Sequence, residues 1–124
     1  MAEDKQVREP VKKKSDGLTD VLENIAAMPQ HDQAMAKRFH SIIERAAPSL
    51  TPRLWYGMPA YAKDGKVLCF FQSAAKFNAR YATFGFEEVA ALDEGTMWPT
   101  SYALTELGDT EEAAITELIR KAMG

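Results

Sequence analysis

The sequence predicts an α+β fold: two N-terminal helices, an antiparallel sheet of about four to six strands, and a C-terminal helix packed on one face of that sheet. Three observations carry this expectation. Apolar residues recur at helical spacing through residues 16–46 and again through 109–122. Between those stretches, from Leu54 onward, the chain turns rich in aromatic and β-forming residues. These runs follow one another without intervening helices, so the strands pair as neighbours and antiparallel rather than across helical crossovers.

Asp16 opens the first helix. Leu18, Val21, Leu22 and Ile25 fall at i, i+3, i+4 and i+7 and form one apolar stripe, with Asp20, Glu23 and Asn24 off it. Pro29 ends the helix, because the residue before a proline is pushed out of helical geometry. The second helix spans His31 to Ala46. It buries Met35, Phe39, Ile42, Ile43 and Ala46 and keeps Lys37, Arg38, Glu44 and Arg45 wet, and Pro48 and Pro52 close it.

Asp64-Gly65 tolerates positive φ at both positions and so marks a two-residue hairpin between Trp55–Lys63 and Lys66–Gln72. Pro59 cannot donate to a ladder, which places it at an edge or a bulge. Val67-Leu68-Cys69-Phe70-Phe71 is uniformly apolar and reads as a central strand covered on both sides. A further strand is expected over Arg80–Gly85, a helical turn over Glu87–Leu92 and a last strand over Ser101–Thr105. Asp109 is placed to cap the closing helix, with Glu112 completing a capping box. Ile115, Leu118, Ile119 and Ala122 form that helix's buried stripe, and Arg120 and Lys121 suit its C-terminal dipole.

A chain of 124 residues makes one domain, here residues 16–124 after a charged tail over residues 1–15 that reads as flexible. At 46% hydrophobic and 27% charged residues, the composition excludes a disordered chain, a collagen-like repeat and a disulfide scaffold. A net charge of −3 makes nucleic acid a poor partner, and the Lys12-Lys13-Lys14 run is offset by Glu3, Asp4 and Glu9. Charge is unevenly placed: residues 1–80 sum to +4 and residues 81–124 to −7. This acidic C-terminal part reads either as a solvated surface or as a face for a cation or a basic partner. No apolar run suits a signal peptide or a membrane span, so no membrane association is expected. The single cysteine, Cys69, points to a reducing, cytoplasmic setting and, within the most apolar strand, to a buried structural thiol.

Tyr56-Gly57-Met58-Pro59-Ala60-Tyr61, followed by Gly65-Lys66-Val67-Leu68 and then Lys76, resembles the YdhG-like family of small, mostly uncharacterised bacterial domains. Gly95-Thr96-Met97-Trp98-Pro99 is similar to a second element of that family. The resemblance covers residues 17–123. It implies a fold related to frataxin-like and YjbR-like domains, and for some relatives a frataxin-type role in delivering iron. The chain departs from the family at Asn78, where a histidine is common, and at Met97, where a basic residue is frequent.

Two sets of residues are candidates for function. Tyr56, Met58, Pro59, Tyr61 and Trp98 offer aromatic and apolar surface for a ligand groove, with Lys76 and Arg80 supplying charge for an anion. The competing reading makes these aromatic residues part of the core. Iron held weakly by surface carboxylates would draw on Glu87, Glu88, Asp93 and Glu94, or on Asp16, Asp20 and Glu23, and the competing reading is a solvated face. Asp109, Glu111 and Glu112 are better explained by capping. His40 and Glu44, four residues apart on a helix, could share an ion but lack an evident third ligand. No nucleophile elbow or phosphate loop is present, so no enzymatic activity is expected. The resulting expectation is a small binding protein with weak carboxylate-held iron as its cargo. The alternative is a small-ligand or protein-interaction module using Tyr56–Tyr61 with Lys76 and Arg80.

Overall fold

The computed structural model describes residues 14–124. Helices α1 (Lys14–Ala26) and α2 (Gln30–Ala46) precede strands β1 (Thr51–Trp55), β2 (Met58–Lys63) and β3 (Lys66–Gln72). A short 3₁₀ turn (Ala75–Phe77), β4 (Ala82–Phe86), β5 (Ser101–Leu104) and α3 (Asp109–Ala122) follow. The five strands form one antiparallel sheet in chain order, β1-β2-β3-β4-β5, so the expected α+β architecture is the one observed. Helix α1 includes Lys14 and Ser15 and so begins two residues before Asp16; the rest of the proposed tail, residues 1–13, lies outside the described residues. Among the described residues no helix is long and apolar enough to cross a membrane.

The core is built around Phe39 of α2. Its ring lies 6.0 Å from Tyr61, 5.9 Å from Phe71 and 5.8 Å from Phe84, one aromatic from each of β2, β3 and β4. Val21 and Ile25 of α1, and Ile115 and Ile119 of α3, are buried with it, as their helical spacing requires. Leu22, assigned to the same stripe, is instead 47% exposed, so the buried face of α1 is narrower than the sequence pattern. One glycine sets the distance from α1 to the sheet: a Cβ on Gly17 would lie 2.1 Å from the Pro52 carbonyl oxygen of β1.

The Asp64-Gly65 hairpin forms as expected, with Lys63 opposite Lys66 and φ of 50° and 82° at the two turn residues. The expected strand Trp55–Lys63 is divided, because Tyr56-Gly57 makes a second two-residue hairpin between β1 and β2. Pro59 therefore lies in an interior strand, not at an edge. It stands near the start of β2, ahead of Ala60, where the pairing with β3 begins. The bulge falls elsewhere: the β2–β3 register slips between Tyr61 and Ala62, leaving Leu68 as the extra residue. Consecutive Leu68 and Cys69 are consequently both fully buried. That bulge, rather than cover on both sides of β3, accounts for much of the uniformly apolar run. On the face away from α2, Phe70 packs at 5.5 Å against Trp55 and over Gly85, where a Cβ would lie 2.6 Å from its ring.

Two further expectations are corrected. Residues 87–92 hold a single turn closed by Ala90 N–H donating to Glu87 O at 3.0 Å, and no helix. The cap of α3 is Gly108, whose N–H donates to Glu111 Oε1 at 2.8 Å. Asp109 and Glu112, freed from capping, bind Arg38 of α2, both at 2.6 Å, and Glu112 also binds Arg45 at 2.6 Å. These pairs join α3 to α2 across more than sixty residues of sequence.

Candidate functional site

The Tyr56-Gly57 turn needs left-handed backbone at both positions, with φ of 52° and 73°. Glycine takes that conformation freely, whereas tyrosine does so at a cost. The turn is held from α1, where the Asn24 side-chain amide donates to Gly57 O at 3.1 Å. The Tyr56 ring meets Trp55 edge-on at 4.9 Å and remains 77% exposed.

Opposite this turn lies the loop after β3. Asp32, buried in the first turn of α2, accepts the backbone N–H of Ala74 at 3.0 Å and of Ala75 at 3.2 Å. Its negative charge also suits the helix N-terminus. The loop closes through Asn78 at φ 52°, with Ala79 N–H donating to Ala74 O at 2.8 Å. Lys76, held on this loop, reaches back over the hairpin turn, and its Nζ lies 2.9 Å from where a Cβ on Gly57 would stand. The ammonium lies 5.6 Å from the Phe77 ring centre and pairs with no carboxylate among the described residues.

Between the two loops is a hollow of about 250 Å³. Met28, Met58, Pro59 and Phe71 supply its apolar wall, and Asn24, Ser73 and Lys76 its polar atoms. The structure thus brings Met58, Pro59 and Lys76 together as a lining, with Tyr56 on the turn beside them. Tyr61 is placed elsewhere: it is fully buried beneath α2, and its hydroxyl lies 2.9 Å from His40 Nδ1. Burial pushes that hydroxyl's pKa far up, with smaller contributions from Cys69 and Glu44. Arg80 is exposed, lies 5.3 Å from the Tyr81 ring centre and does not line the hollow. Trp98 is half-buried against the core and borders a separate hollow of about 390 Å³ with Phe86, Leu92 and three acidic residues.

Those acidic residues are Glu87, Glu88 and Asp93. Glu94 turns away to bind Lys121 at 2.7 Å; this hydrogen bond first, then the charge of Lys121, holds its carboxyl below the usual range. Asp16, Asp20 and Glu23 lie along α1. Among the described residues, no three imidazole, thiol or carboxylate groups are arranged to share a metal ion. His40 Nε2 is 3.5 Å from Glu44 Oε2, an i, i+4 pair beside Tyr61.

Sequence reasoning missed Asn24, Ser73 and Asp32. Asn24 lies off the apolar stripe of its helix, and nothing in its spacing indicates a turn thirty-three residues away. The Tyr-Gly pair between two β-forming runs is the one local signal for the hairpin that positions them. No family model, curated protein or solved structure matches the chain.

Proposed function

We propose that this protein is a binding module for a small organic anion, taken up between the Tyr56-Gly57 turn and the Lys76 loop. The observation that carries the reading is the Lys76 ammonium. It stands at a concave, partly apolar site without a carboxylate partner among the described residues, while its loop is fixed by Asp32. A lysine so placed offers a point charge to a carboxylate or phosphate, and Met58 and Pro59 offer apolar contact to the rest of the ligand. A hollow of about 250 Å³ favours a compact ligand. The resemblance of residues 17–123 to the YdhG-like family belongs to this proposal, because its most specific segment, Tyr56–Tyr61, contributes the turn and part of the wall. Iron delivery through surface carboxylates draws less support, since among the described residues no three of the acidic side chains named for it converge to share an ion.

The test is an amide chemical-shift titration of the full chain with benzoate and inorganic phosphate, using benzamide as the neutral control and Fe²⁺ in a parallel anaerobic series. Saturable anion-dependent shifts at Gly57, Ser73 and Lys76, weakened about tenfold or more by Lys76→Gln, are expected. Shifts unaffected by Lys76→Gln would overturn the reading. So would a response confined to Fe²⁺ at an acidic cluster.

A further inference from the structure

A second cavity, of about 520 Å³, opens beside α2 and the start of the sheet and, among the described residues, shares no lining residue with the Lys76 hollow. Leu18, Ile43, Ala47, Leu50 and Pro52 give it apolar walls. Glu44 lines it too, together with two polar side chains that are more than nine-tenths buried: His40 is 7% exposed and Tyr61 0%. The Tyr61 hydroxyl and His40 Nδ1 meet at 2.9 Å. The Tyr61 hydroxyl keeps its proton, because burial strongly disfavours the phenolate. Among the described residues that hydroxyl meets His40 Nδ1. The Glu44 carboxylate, which only accepts, faces His40 Nε2, so the ring carries a proton on Nε2 and Nδ1 accepts from the Tyr61 hydroxyl. That N–H faces Glu44, but at 3.5 Å the two lie beyond a good N–H···O hydrogen bond.

The cavity wall therefore presents an under-used donor, the His40 Nε2–H, beside an acceptor, the Glu44 carboxylate, whose side chain is 61% exposed. Glu44 is the one Asp, Glu, Lys or Arg among the described lining residues. We propose that this cavity binds an uncharged, largely apolar molecule bearing one hydroxyl or primary amide. That head accepts from His40 and donates to Glu44, while the ring or branched chain fills the space between Leu18, Ile43 and Leu50. A group that only accepts leaves Glu44 unanswered, and a carboxylate is repelled by it. The site selects against anions, the opposite of the Lys76 hollow, so the two are separable by one ligand series.

The experiment uses the full chain and two probes with the same ring body, 2-naphthylmethanol and 2-naphthoate. Side-chain methyl shifts of Leu18, Ile43 and Leu50 report this cavity, and the amide of Gly57 reports the other hollow. The expected result is saturable shifts of the three methyls with 2-naphthylmethanol, and binding of 2-naphthoate there weaker by about tenfold or more. Ala47→Leu is expected to fill the cavity and abolish the methyl response. Glu44→Gln, at an exposed position, leaves the fold intact and is expected to narrow the alcohol-to-carboxylate preference to less than about threefold. Absence of saturable methyl shifts, or a preference unchanged in Glu44→Gln, would overturn the proposal whether or not Ala47→Leu folds. Naphthoate shifts at Gly57 alone would leave the Lys76 reading standing and remove this one.

Discussion

The Asp32 carboxylate accepts the backbone N–H of Ala74 at 3.0 Å, across forty-two residues of sequence, and through it α2 holds the loop that carries Lys76. The same carboxylate takes Ala75 N–H at 3.2 Å, so one buried charged side chain satisfies two donors at the start of the 3₁₀ turn. Removing it leaves both N–H groups without that partner. Asp32→Ala is expected to lower stability by about 1–3 kcal/mol and to accelerate amide hydrogen exchange selectively at Ala74 and Ala75. Asp32→Asn, which retains one carbonyl oxygen, should lose less. Equal exchange at these amides in wild type and Asp32→Ala would show that the carboxylate does not hold the loop.

Gly17 provides a case in which helix propensity and packing have opposite signs. On an exposed helix face, Gly→Ala stabilises by about 1 kcal/mol. Here the added Cβ would lie 2.1 Å from the Pro52 carbonyl oxygen, a backbone atom of β1 that cannot swing aside. Helix α1 would have to lift from the sheet edge, moving Val21 and Ile25 out of the core. Gly17→Ala is expected to destabilise by about 2 kcal/mol net, since overpacking of this kind costs about 1–3 kcal/mol or more. Urea denaturation monitored by Trp55 and Trp98 fluorescence measures it. A stabilised variant would contradict the close approach of α1 to β1.

The parts of this molecule that were legible in the sequence are those determined by neighbours in the chain. Helix stripes, the Asp64-Gly65 hairpin and the succession of strands all follow from local periodicity and turn chemistry. The Tyr56-Gly57 hairpin was hidden because a tyrosine at φ 52° is not a usual turn residue, and the β-forming run reads through it. For Tyr61 the sequence leaves groove and core open, because its partner, His40, comes from a helix twenty-one residues earlier. Asp109 and Glu112 illustrate the same limit: their spacing matches a capping box, but Arg38 and Arg45 claim both carboxylates, and the adjacent Glu111 performs the capping role. Residues of the Lys76 hollow come from both helices' junction, the first hairpin and the loop after β3, a meeting that no short window displays.

Cys69 makes a prediction about reactivity. Its side chain is fully buried, and burial raises the thiol pKa well above its ordinary value, so the thiolate is scarce in the folded state. A chromogenic disulfide reagent at pH 8 should therefore modify the native protein only as fast as it opens, and the urea-unfolded chain at once. Rapid modification without denaturant would mean that the β2–β3 bulge does not bury this residue.

The ion-pair network between α2 and α3 gives the pH dependence its sign. The hydrogen bond from Arg38, the largest cause, holds the Glu112 carboxyl below its usual range; the charges of Arg38 and Arg45 act in the same direction, against a partial desolvation. A carboxyl whose folded pKa is depressed contributes stability above its unfolded value of about 4.3, and that contribution disappears as pH falls through the lower, folded value. The difference in stability between wild type and Glu112→Gln should therefore be constant from neutral pH down to about pH 6 and shrink below about pH 4. Added salt should reduce it at neutral pH, because the three partners are reached by solvent. Paired denaturation curves at pH 7 and pH 3 decide the matter. A difference that grows on acidification would mean that Glu112 is held protonated, which is incompatible with both arginine contacts.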